Sequence, residues 1–144
     1  GRAVELAGSD MRAELSRQSV LRDRLASGLL SAVEDSRLNG HPVRRLPNNV
    51  NISFAFVEGE GLLLSLDMEG IAVSTGSACT SSSLEPSHVL AAIGLPVELA
   101  HGSLRFSLGR YTTQQDIERV LQVMPGIVHR LRAMSPLARK GATA

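Results

Sequence analysis

Two side chains in this 144-residue sequence stand in settings that suit chemistry, Cys79 and Arg105. Cys79 is the only cysteine. It sits inside STGSACTSSS, residues 74–83. A free cysteine with a packing role normally lies among apolar residues. This one is flanked by Gly76, Ser77, Ala78, Thr80 and three serines, a run that costs little to expose and can change shape. A reactive thiol needs exposure, reach and a stabilised thiolate. The run offers the first two, and the amides of a helix started by Pro86 can offer the third. On composition, a reactive thiol and an inert surface thiol both stay open. Arg105 lies in SLRFS, residues 103–107. It either points to solvent and covers apolar surface with its stem, or clamps a carboxylate with two parallel N–H donors.

The other ionisable residues narrow the chemistry. Of the fifteen basic residues, fourteen are arginine and one, Lys140, is lysine. Lys140 belongs to the tail 138–144, which reads as disordered. Chemistry that needs a buried Schiff-base lysine therefore cannot be built from this chain alone. A single cysteine excludes an internal disulfide and a multi-thiolate zinc site. His88 and His101 lack partners at ligand or triad spacing and read as packing or surface residues. Glu58 and Glu60 flank Gly59 and do not converge on spacing alone. Asn48, Asn49 and Asn51 read as turn and strand-entry residues. The net charge of +1 argues for neither a nucleic-acid nor a membrane partner. No acid follows Glu118, whereas Arg119, Arg130, Arg132, Arg139 and Lys140 do, which reads as a solvated helix face. With no apolar run of about 18 residues and no signal peptide at Gly1–Glu5, a cytoplasmic protein is expected.

These residues need a scaffold. Met11, Leu15, Leu21, Leu25 and Leu29 recur near the helical period and predict a long helix over 3–33. A long helix opening the chain is expected where a segment precedes it in a parent protein. Residues 37–42 read as a turn cluster. Residues 49–57 alternate, placing Val50, Ile52, Phe54 and Phe56 on one strand face. A short helix over 60–68 ends at Gly70, and 71–74 reads as a buried strand. The cysteine loop spans 74–85, and a helix runs from Pro86 to about Ile93. Residues 103–108 read as a strand. The last helix, 113–134, is capped by Thr112 or Thr113, and Pro125 and Gly126 are expected to kink or interrupt it. Its inner face carries Ile117, Val120, Leu121, Met124, Val128 and Leu131. The fold class is α/β (α+β): a small three-stranded sheet covered by helices.

Together the motifs resemble a family. Residues 74–80, STGSACT, followed by SLEPSHVL at 83–90, resemble the active-site cysteine loop of cysteine desulfurases of the nitrogen-fixation and housekeeping iron–sulfur type. Leu38-Asn39-Gly40, PNNVNISF at 47–54 and VEGE at 57–60 resemble the family's lead-in to that loop. ELAHGSLRFSLGR at 98–110 resembles the segment after the loop, and Ser135-Pro136-Leu137 the end of the last helix. RLPNNVN at 45–51 is slightly closer to the nitrogen-fixation branch. The resemblance implies residues 1–137 as the C-terminal small domain of a fold type I pyridoxal-phosphate enzyme, with the large cofactor-binding domain absent. It implies that Cys79 takes sulfur from L-cysteine as a persulfide, leaving L-alanine, and that Arg105 holds the substrate carboxylate. The persulfide then passes to an iron–sulfur scaffold or another acceptor, where it can transiently ligate a cluster. The intact enzyme is expected to be a homodimer using pyridoxal phosphate, and this chain alone to bind none and to be inactive.

Two other readings stay open: a stand-alone persulfide carrier, and a non-catalytic interaction domain with an incidental thiol. A small domain taken from its parent also exposes surface the parent covers, so self-association is expected.

Overall fold

A computed structural model describes residues 1–75 and 87–135. Helix α1 spans Arg2–Ala32, a rod of about 46 Å. Only its second half is buried, through Leu21, Leu25, Ala26 and Leu29, while Met11 and Leu15 are exposed. The helical period thus runs past the point where there is anything to pack against.

Strands β1 (Ser36–Leu38), β2 (Asn49–Phe54), β3 (Ser74–Thr75) and β4 (Ser103–Ser107) form one antiparallel sheet in the order β1-β2-β4-β3. The expected sheet had three strands. The fourth, β1, has three residues and a single apolar side chain, too short to show a period, and its partner β2 sets its register. β3 pairs only at Ser74 and Thr75, so the strand expected over 71–74 begins where that stretch ends.

The β2–β4 register sorts side chains by polarity. Val50 faces Phe106 and Ile52 faces Leu104, and these pairs are buried. Asn49 faces Ser107, Asn51 faces Arg105, and Ser53 faces Ser103. Directly opposed residues share a face, so one face is apolar and the other polar. Phe56 does not extend the apolar row: its φ of 65° turns the chain out of the strand and leaves it partly exposed.

Helices α1, α2 (Gly59–Met68) and α5 (Gln114–Met134) cover the apolar face in one cluster with Leu62, Leu66, Ile117, Met124 and Val128. Thr113 caps α5 in a reciprocal box: its side chain accepts from the Asp116 amide, and Asp116 accepts from the Thr113 amide. The Thr113 amide and then the Thr113 hydroxyl, both donating to Asp116 Oδ2, hold the Asp116 carboxyl below its usual range. The helix runs unbroken through Pro125. Burial of Met124, Ile127 and Val128 on the core outweighs the hydrogen bond that proline omits.

Two short helices, α3 (His88–Ala92) and α4 (Val97–His101), make a separate small cluster through Leu90, Leu95 and Ala100. The sequence pattern does not mark α4, which is barely more than one turn. From its end, Gly102 lets β4 enter the sheet. The Gly102 carbonyl accepts from the Phe54 amide at 2.9 Å, and a Cβ at 102 would overlap the Phe54 carbonyl. Gly102→Ala therefore costs at least about 2 kcal/mol, because backbone must move to fit it. Gly8→Ala, in open space on exposed α1, adds about 0.5–1 kcal/mol. Chemical denaturation of the two variants checks both signs.

Candidate functional site

The polar face of the sheet carries the one strand residue singled out from sequence, Arg105. Its central row crosses β2, β4 and β3 and reaches the residue that follows β1. Asn39 follows β1, and its amide donates to the Asn51 carbonyl at 2.9 Å. Asn51 lies opposite Arg105, which lies opposite Ser74 on β3. Exposure rises across the row, from buried Asn39 to half-buried Asn51 to exposed Arg105. The Arg105 guanidinium has no hydrogen-bond or ion-pair partner among the described residues, unlike those of Arg17, Arg22, Arg24, Arg45, Arg110, Arg119 and Arg132. A guanidinium left free on a polar sheet face can take a planar anion in two parallel hydrogen bonds.

The inner end of the row is fixed from below. Asn39 Nδ2 donates to Asn51 Oδ1 at 2.6 Å and to Ser53 Oγ at 2.8 Å. Arg45 Nη2 donates to the Asn39 carbonyl at 2.6 Å, and Arg22 Nη1 to the Leu46 carbonyl at 3.2 Å. Arg22 thus ties the 39–46 connection to α1, with Asp23 pairing Arg22 at 2.8 Å, while Arg45 closes the connection on itself. Burial, and then the nearby Arg22 charge, lower the Arg45 pKa. At the far end of β4, Arg17 donates to the carbonyls of Gly109, Arg110 and Thr112 at 2.6–3.1 Å. Glu14 holds Arg17 in a two-point pair at 2.9 and 3.0 Å. β4 is therefore clamped beyond Arg105 as well as before it.

The site residues expected from sequence fall unevenly. Arg105 is on this face. Cys79 lies outside the described residues, as do Pro86 and Lys140; β3 ends at Thr75 and the chain enters the segment that contains Cys79. His88 is exposed on α3, and Glu58 and Glu60 are exposed at the start of α2, so none joins the row. Asn49 and Asn51 are strand residues of the polar face, more than strand-entry signals. Asn39 was hidden in what reads as a turn cluster; an asparagine before glycine signals a turn and says nothing of burial.

Among the described residues no group of three or more His, Cys, Asp or Glu side chains could hold a metal ion. No helix among them is long and apolar enough to cross a membrane. Covalent attachment of pyridoxal phosphate needs a deprotonatable amine. The described residues contain no lysine, and guanidinium groups stay protonated. Their donor set does not fit that attachment.

The described residues thus form a helix-backed antiparallel sheet with an exposed arginine on its polar face. Comparison with known proteins gives the chain a family. The class-V aminotransferase family matches residues 2–120, and the chain belongs to that family. It is 56% identical over 142 residues to cysteine desulfurase 2 of Trichormus variabilis, covering 99% of this chain and 35% of that protein. It is 54% identical over 140 residues to a cysteine desulfurase of Archaeoglobus fulgidus, covering 97% and 36%. Among solved structures, a NifS-like protein matches 90% of this chain and 32% of its own at TM-score 0.77 and 29% identity. A NifS-like protein from Rickettsia africae matches 86% and 31% at TM-score 0.73 and 25% identity. The chain thus spans about a third of the length of the curated relatives it matches.

The burial contrast along the row separates structural from ligand-facing roles. Arg105→Ala changes unfolding free energy by less than about 0.5 kcal/mol. Asn39→Ala costs about 1–3 kcal/mol, because Asn51 and buried Ser53 both lose their donor. Urea unfolding of each variant tests the difference.

Proposed function

We propose that this chain is the sulfur-receiving small domain of a pyridoxal-phosphate-dependent cysteine desulfurase. The observation that carries the reading is the place of Arg105. It lies free on the polar face, directly opposite Ser74, where the chain leaves the sheet for the segment that contains Cys79. Cys79 comes four positions after Thr75, a tether of no more than about 14 Å. A tether of that length is short enough for a carboxylate-holding arginine and the thiol to share one ligand. The 54–56% identity to proteins named cysteine desulfurases supports the same reading.

In this reading Arg105 binds the carboxylate of L-cysteine and the Cys79 thiolate attacks the substrate sulfur. The new S–S bond forms as the C–S bond breaks. Its electron pair stays on carbon, which takes up a proton and leaves L-alanine; Cys79 keeps the sulfur as a persulfide. Pyridoxal phosphate and its lysine belong to the rest of the protein. Residues 1–137 form the small domain, and 138–144 its tail. The whole protein is a cytoplasmic homodimer that hands sulfur to an iron–sulfur scaffold, as in the nitrogen-fixation type of assembly.

In the full-length protein Cys79→Ser abolishes L-alanine formation from L-cysteine. A variant that still turns over at the parental rate overturns the role of Cys79. The 144-residue chain by itself, given pyridoxal phosphate and L-cysteine, forms no L-alanine.

A further inference from the structure

Arg105 does not stand alone in its row. Asn51 lies directly opposite it on the neighbouring strand, with its side chain on the same face. The orientation of the Asn51 amide is set from behind. Asn39, only 4% exposed, donates through Nδ2 to Asn51 Oδ1 at 2.6 Å. With Oδ1 held by that donor, Nδ2 is the end of the amide turned away from Asn39. No acceptor among the described residues takes it. Asn39 donates at this contact and, through the same Nδ2, to Ser53 Oγ at 2.8 Å, while its own Oδ1 is buried without a partner among the described residues. Ser53 is fully buried and its hydroxyl has that bond, so the arrangement is anchored below the surface.

We propose that Asn51 is a second donor to the substrate carboxylate, set beside Arg105 by cross-strand register and turned to present Nδ2 by the buried Asn39. The proposal rests on the reading of Arg105 as the carboxylate clamp. An arginine fork satisfies two lone pairs of a carboxylate, which has about four acceptor positions. An adjacent amide donor takes one of those left and selects an α-carboxylate over a neutral group. Asn51 then contacts the substrate, and Asn39 is a positioning residue that acts through it.

The test uses the full-length enzyme. Asn51→Asp keeps the shape and still accepts from Asn39, but it replaces the outward donor with an acceptor. It raises the KM for L-cysteine and the inhibition constant of L-alanine by about tenfold or more, with kcat within about twofold. Asn39→Asp accepts where asparagine donates, turns the Asn51 amide over, and raises the same two constants while it leaves Asn51 itself intact. Asn51→Ala carries the comparison if Asn51→Asp does not fold. A folded Asn51 variant with both constants within about twofold of the parent, alongside an Arg105→Ala variant that loses substrate affinity, overturns this proposal and leaves the role of Arg105 standing. An Arg105→Ala variant indistinguishable from the parent overturns both.

Discussion

The antiparallel pairing of β2 with β4 is the constraint on which the rest depends. Five residue pairs run in strict alternation, apolar against apolar and polar against polar. A slip of one residue would carry Leu104 and Phe106 to the open face and Arg105 into the core. The apolar pairs hold α1, α2 and α5 against one side of the sheet. That same packing obliges Asn51 and Arg105 to stand together on the other. The core and the candidate site are two faces of one register.

The register is protected at both ends. Gly102 brings the start of β4 so close to Phe54 that no side chain fits. Past the end of β4, Arg17 gathers three carbonyls of the next turn onto α1. β4 is thus held at each end, and Arg105 near its middle inherits that rigidity through its backbone pairing, with no side-chain partner among the described residues. This arrangement suits a binding residue. Its backbone is fixed by neighbours, and its charged group is left uncommitted.

Much of this was legible in the sequence, for reasons that also explain what was not. Residues 49–54 and 103–107 alternate cleanly because each strand has one dry and one wet face, and α5 shows its period because one side of it is buried along most of its length. β1 and α4 are too short for any period to accumulate. Pro125 carries a local signal that tertiary packing overrides. Met11 and Leu15 carry a helical signal with no core behind it. Arg105 was visible as a cation within a strand, but its neighbours in space were not: Asn51 is 54 residues away and Ser74 is 31, and only strand order brings them together. Asn39 was least visible, because its importance comes from burial and from two hydrogen bonds to a strand twelve or more residues on.

The domain therefore joins two features of different kind: a rigid row that ends in a free guanidinium, and a serine-rich segment that carries the only thiol and leaves the sheet beside that row. If they work as one site, sulfur from L-cysteine must come to rest on Cys79. The most direct test is peptide mass spectrometry of the full-length protein after a single turnover with L-cysteine. One extra sulfur atom on the Cys79 peptide, in proportion to the L-alanine released, is the predicted result. Release of L-alanine with an unmodified Cys79 peptide would contradict it.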